Sequence, residues 1–220
     1  MDKSAIILTC GFSSSFAEDK GVLELAGKPL IKHVVDAVRP FVDEIIVVTD
    51  SEERVKKYSV VLGGQTRFAV DSCESKGPLI GALTGFEVAR GKYASLLAFD
   101  TPFVSREVVS LLFDLCLGKA AAIPRWPNGQ IQPLQAVYQT AQALEAAKSA
   151  VTEGKLDMRS MIEKMRGVRY ISTLVIEQVD PELQTFFNIN TLIDLKSAEK
   201  DLRDGRREKS GHAEKSGLLP

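Results

Sequence analysis

Histidine is almost absent from this chain, with only His33 and His212 among 220 residues. That scarcity speaks against a histidine-based triad and against an imidazole zinc site. Cysteine is equally sparse. Cys10, Cys73 and Cys116 stand far apart with no CxxC pair. An odd, scattered set suggests a reducing, cytoplasmic compartment, with each thiol read as a small buried apolar group. No apolar stretch approaches the length that spans a bilayer, and Ala5-Ile6-Ile7-Leu8 is too short for a secretory signal. An excess of either charge is also missing. Lys and Arg total 28 against 29 Asp and Glu, a net charge of -1. No overall field draws nucleic acid or an anionic membrane, so an anionic ligand must be held by local donors and a few placed cations. Two phosphate-binding signatures are missing as well. There is no GxGxxG. Gly85 to Lys92 is one residue too long for GxxxxGK[ST], and Tyr93 stands where a small hydroxyl belongs.

What is present is an alternation of apolar, β-rich runs with amphipathic patterns. Residues 5–8, 44–49, 67–70, 94–99, 120–123, 134–138 and 168–171 predict strands. Pro29 opens a helix at its first turn, and Leu30, Val34, Ala37 and Val38 form its apolar face. Short helices are expected over 54–58 and 79–89, and two or three within 140–165. Ser105 is expected to cap a helix that turns Val108, Leu111, Leu112 and Leu115 inward, and Thr191 to cap the last one. Near-continuous apolar strands separated by helices imply an α/β fold with a mostly parallel central sheet covered on both faces. The chain reads as one domain over 1–202, followed by a charged, disordered tail over 203–220.

In open parallel sheets, ligands sit outside the carboxyl ends of strands. The loop after the first strand, running from Leu8 to Lys20, lies at such an end. It combines Gly11, four serine and threonine hydroxyls and Lys20, the parts of an anion cradle. Asp100 ends the strongest strand, and Pro102 keeps that strand from pairing further. Asp71 follows the third strand. Locally it could equally make an Asx-turn. Asn188 and Asn190 precede the last helix, where asparagine also caps well.

The spacing of these blocks resembles a known signature. Leu8 to Gly11, then Asp19-Lys20-Gly21, then Leu23-Glu24-Leu25-Ala26-Gly27-Lys28-Pro29-Leu30 is similar to LAGGxSxRMGxDKxLxxLxGKPLLxH of the molybdenum cofactor guanylyltransferases. These belong to the wider nucleotidyltransferase superfamily. The similarity continues at Asp71-Ser72, Gly77 to Ala82, Phe99-Asp100-Thr101-Pro102-Phe103 and Phe187 to Thr191.

The resemblance implies a Rossmann-like, three-layer nucleotidyltransferase fold. It implies transfer of GMP from GTP to molybdenum-bound molybdopterin with release of pyrophosphate, and assembly proteins of that cofactor as partners. Leu8, Thr9, Cys10, Gly11, Lys20, Asp71, Gly77 and Asp100 would bind the nucleotide. Asp100 would also hold Mg2+, since magnesium takes one or two carboxylates plus phosphate oxygens and water. Lys20 and Asp100 would carry the catalysis, with Asn188 and Asn190 toward the acceptor or pyrophosphate. The pattern departs from the family in the first loop. Cys10 replaces a glycine, Ser15 an arginine, and Phe16-Ala17 a Met-Gly pair. Arg67, Lys76, Arg125 and Arg159 are the cations considered as substitutes for that arginine. Another nucleotidyltransferase, or a nucleotide-binding relative without turnover, are the alternative functions.

Overall fold

The computed structural model describes residues 2–9, 19–71 and 77–215, with side chains as far as Arg203. Cys10, Gly11, Ser15, Cys73 and Lys76 lie outside the described residues. The elements run β1 (Lys3–Leu8), β2 (Glu24–Leu25), β3 (Lys28–Pro29), α1 (Leu30–Val38), β4 (Glu44–Thr49), α2 (Glu52–Leu62), β5 (Thr66–Val70) and α3 (Pro78–Val88). They continue with β6 (Tyr93–Ala98), α4 (Arg106–Cys116), β7 (Ala121–Arg125), β8 (Gln135–Gln139), α5 (Thr140–Thr152), α6 (Met158–Glu163), β9 (Val168–Ser172), α7 (Thr173–Ile176) and α8 (Leu192–Lys215).

Seven strands form one sheet in the order β5-β4-β1-β6-β8-β7-β9. All are parallel except β8, which runs antiparallel to both β6 and β7. Strand β1 sits between β4 and β6 and is buried on both faces. Ala5 and Ile7 face one core with α1, α2 and α4, and Ile6 and Leu8 face the other with α3, α5 and α6. The period of two in a strand makes this division automatic, and burial on both sides explains why the strand reads as an unbroken apolar run. The expected three-layer architecture is the one observed.

The amino-terminal edge of the sheet is pinned by Glu44. One of its oxygens accepts from Ser4 Oγ at 2.7 Å and from the Arg90 N–H at 2.6 Å, and the other pairs with Arg67 Nη1 at 2.5 Å. Burial works against that charge, but these donors together hold the carboxyl below the usual carboxylate range. Arg67 is thereby committed at the edge opposite the strand carboxyl ends. It is not a substitute for the loop arginine.

Two local expectations change. Pro29 does not open α1. It pairs with Glu24 in the small β2–β3 hairpin, and its ψ of 141° is extended, so the helix begins at Leu30 with Pro29 as its cap. Helix α2 is longer than 54–58, because Ser51 caps it through the Arg54 N–H and Gly63 closes it with φ of 75°. Helix α8 spans Leu192–Lys215. Thr191 caps it as expected. The Asp194 N–H donates to Thr191 Oγ1 at 3.2 Å, and Asp194 Oδ2 accepts from the Thr191 N–H at 2.7 Å, a reciprocal capping box. Burial opposes the Asp194 charge, but the Asn190 and Thr191 donors still hold its carboxyl below the ordinary range.

Candidate active site

The carboxyl ends of β1 and β6 are adjacent, and the chain that follows each brings one charged group to the same point. After β1, Lys20 begins a short 3-10 turn over Lys20–Val22 that Asp19 caps. After β6, Phe99 and Asp100 form a turn tied back to the sheet. The Phe99 N–H donates to Leu8 O at 3.2 Å, and Thr101 Oγ1 donates to Ala98 O at 2.8 Å. Strand β6 ends at Ala98, so Asp100 lies in this turn and not at the strand terminus.

Lys20 Nζ lies 2.6 Å from Asp100 Oδ2, with both side chains buried. Asn190 supplies a third member from far along the chain, its Oδ1 accepting from Lys20 Nζ at 3.0 Å. Its segment is fixed by the Ile189 N–H, which donates to Asp100 O at 2.9 Å, and by Ile189 buried against Leu25, Leu30 and Ala198. Because Thr191 and Asp194 cap α8, the Asn190 side chain is not needed there. The structure thus brings Lys20, Asp100 and Asn190 together. The Lys20 ammonium also lies 5.6 Å from the Phe99 ring centroid.

The remaining candidates surround this cluster at greater distance. The Leu8 side chain is in the core and its carbonyl accepts from Phe99. Thr9 directs both its N–H and its hydroxyl to Val48 O, at 3.0 and 2.9 Å. These two residues form the frame from which the first loop departs. Asp71 stands at the carboxyl end of β5, three strands across from β6, and its N–H extends the ladder to Thr49 O at 2.7 Å. Gly77 caps α3, and there close approach decides the residue type. A Cβ at Gly77 would lie 2.7 Å from the Leu156 carbonyl oxygen. Asn188 is half-buried two residues before Asn190. Arg125 is engaged elsewhere, its guanidinium 5.1 Å from the Tyr170 ring centroid, and Arg159 is exposed on α6.

Reading the sequence missed two residues on α2. Arg54 Nε lies 3.3 Å from Asp19 Oδ2, and its Nη1 donates to Thr9 O at 3.4 Å. The wholly buried Tyr58 donates its O–H to Asp19 Oδ1 at 2.7 Å. The available signal was weak: an arginine and a tyrosine at i, i+4 spacing, on a helix whose other residues are mostly polar. Cys116 is buried and its thiol pushed up to about 12 by desolvation, which suits the apolar role expected of it.

The description of a MobA-like NTP transferase domain matches residues 5–168. This chain belongs to that family. A protein of Methanosarcina mazei named probable molybdenum cofactor guanylyltransferase is 35% identical over 200 residues, 89% of each chain. The crystal structure of molybdopterin-guanine dinucleotide biosynthesis protein A from Archaeoglobus fulgidus is similar with a TM-score of 0.77 at 27% identity. That match covers 91% of this chain and 99% of the other. The 2-C-methyl-D-erythritol 4-phosphate cytidylyltransferase from Thermus thermophilus shares the fold, with a TM-score of 0.67 at 18% identity over 92% of this chain and 100% of the other. A MobA-like domain is a nucleotidyltransferase, and that family suggests a divalent metal.

The residues present fit such an ion in one respect. Asp100 Oδ1 is buried with no hydrogen-bond partner among the described residues, while Oδ2 takes Lys20. A single carboxylate oxygen suffices for an ion whose other ligands are phosphate oxygens and water. No cluster of three or more acidic, His or Cys side chains able to hold a metal occurs among the described residues. An ion held by the described protein groups alone does not fit. No helix among the described residues is long and apolar enough to cross a membrane.

Proposed function

We propose that this MobA-like domain transfers GMP from GTP to the phosphate of molybdenum-bound molybdopterin and releases pyrophosphate. The observation that supports this most is the buried Lys20–Asp100 pair, joined by Asn190, at the carboxyl ends of β1 and β6, in a chain whose relatives carry that activity in their names.

In this reading a phosphate oxygen of the acceptor attacks the α-phosphorus of GTP. The bond from that phosphorus to the β-phosphate bridging oxygen breaks, and its electron pair leaves with pyrophosphate. A phosphate monoester is already largely ionised near neutral pH, so the nucleophile needs no strong base. That agrees with a site containing no histidine among its clustered members. The work left for the protein is alignment and charge neutralisation. Lys20 supplies an ammonium to the triphosphate, and Asn190 restrains that ammonium from the acceptor side. Asp100, through Oδ1, would hold Mg2+, which offsets triphosphate charge when bound. Leu8 and Thr9 anchor the carboxyl end of β1, and Cys10 and Gly11 follow them in the nucleotide-binding block. Asp71 and Gly77, further along the same edge, border the nucleoside end, and Asn188 the acceptor.

Pyrophosphate release from GTP, measured with magnesium and molybdenum-loaded molybdopterin, tests the proposal. Release that requires both additions supports it. No release with a competent acceptor removes it, and selectivity for CTP or UTP would assign the domain to another acceptor class.

A further inference from the structure

Asp19 precedes Lys20, and its carboxylate is saturated from two directions. Oδ1 accepts from the Gly21 N–H at 3.1 Å and from Tyr58 O–H at 2.7 Å. Oδ2 faces Arg54 Nε at 3.3 Å and Lys57 Nζ at 4.0 Å. Arg54 also reaches Thr9 O, so a single guanidinium touches residues at both ends of the chain between β1 and Lys20. Gly21 fits beneath this arrangement. A Cβ there would meet Tyr58 Oη at 2.5 Å and Cζ at 2.9 Å. The phenol can reach Asp19 only because position 21 has no side chain.

We propose that Arg54 and Tyr58 of α2 are positioning residues that hold Asp19, and through it the backbone of Lys20, so that the Lys20 ammonium is aimed at the nucleotide. The proposal rests on the reading of Lys20 as the nucleotide's cation. A lysine side chain has many rotamers, and directing it repeatedly to one point requires its backbone to be fixed. Arg54 acts through position and not as a phosphate ligand. Asp19 and Asp50, the latter 2.9 Å from Nη1, flank its charge and offset it. Tyr58 remains a donor at all ordinary pH, because burial and the neighbouring Asp19 carboxylate raise its pKa far above the usual phenol value. The position of the two residues one helical turn apart makes the grip a property of α2 as a whole.

Full-length wild type, Tyr58→Phe, Arg54→Gln, Arg54→Lys and Gly21→Ala are compared by magnesium–GTP titration, by thermal unfolding and by NMR amide exchange at Gly21. Tyr58→Phe and Arg54→Gln are expected to weaken GTP binding about tenfold, the size of one lost hydrogen bond to a charged group. Arg54→Lys recovers part of the loss, and Gly21→Ala reproduces the tyrosine variant. In turnover with the acceptor, KM for GTP rises by the same factor while kcat at saturation holds. A lowered Tm with unchanged GTP affinity in the folded protein would reduce both residues to a structural role and overturn the proposal. Should wild type bind no GTP, the functional reading of Lys20 falls instead. The Gly21 amide, which needs no nucleotide, then decides the rest. Faster exchange in Tyr58→Phe upholds the grip on Asp19, and unchanged exchange ends it.

Discussion

Lys20 Nζ and Asp100 Oδ2, from residues eighty positions apart, meet at 2.6 Å with their side chains almost wholly out of water. Removing one partner of such a pair leaves the other charge buried and uncompensated, whereas replacing both by apolar groups removes the problem. Lys20→Met is expected to lower stability by about 3 kcal/mol, and Lys20→Met with Asp100→Leu by much less. Urea unfolding of the two single variants and the double variant gives the cycle. Strictly additive losses would mean that the two charges do not sense each other.

Asn190 accepts from the same ammonium at 3.0 Å and is exposed. Asn190→Ala is expected to change stability by about 1 kcal/mol, since the bond to Lys20 is lost at an open position. Asn190→Asp places a second carboxylate beside Lys20 and faces an anionic triphosphate with net negative charge. It should weaken nucleotide binding more than alanine does, and the gap should shrink as salt is raised. Calorimetric titration at two ionic strengths checks both signs.

The β2–β3 hairpin that supports α8 turns through Ala26 and Gly27, with φ of 54° and 79°. Both turn residues are left-handed, which asparagine tolerates and alanine does not. Ala26→Asn is expected to stabilise the protein by about 1 kcal/mol. Its Tm is the readout, and a fall would show that the hairpin is not under this strain.

His33 on α1 sits 3.0 Å from Leu25 O through Nε2. Burial lowers its pKa below 6.5, outweighing the carbonyl that favours a proton. The unfolded chain therefore binds the proton more readily than the folded one. The stability tied to this residue is complete above about pH 6.5 and is lost as pH falls through that value. Denaturant midpoints between pH 7.5 and 5.5 should show this slope, and His33→Gln should flatten it.

Much of the frame was legible from apolar runs alone. Strand β4 has the bounds its sequence predicts, an unbroken apolar run from Ile45 to Val48 between two polar ends, Glu44 and Thr49, that are themselves buried. The reversed direction of β8 was not read, although the connection from β7 offers Pro127-Asn128-Gly129 and is too short for a helical crossover. At the site, Lys20 and Asp100 could be singled out because each follows a strand in the right block. Asn190 leaned only slightly toward function over capping. Only the observed capping box, with Asp194 and Thr191 serving each other, released its side chain for Lys20. Arg54 and Tyr58 escaped notice because nothing in the order of residues says which loop a surface helix will touch. Such contacts arise from packing between elements distant in the chain.

In the proposed function, Lys20 and Asp100 together hold the triphosphate of a magnesium-bound guanine nucleotide. Titration of the wild-type protein with the four magnesium nucleoside triphosphates, repeated on Lys20→Ala and Asp100→Ala, tests it most directly. GTP should give the strongest binding, and each variant should lose at least about tenfold in affinity for it. Undiminished GTP affinity in both variants would contradict the account.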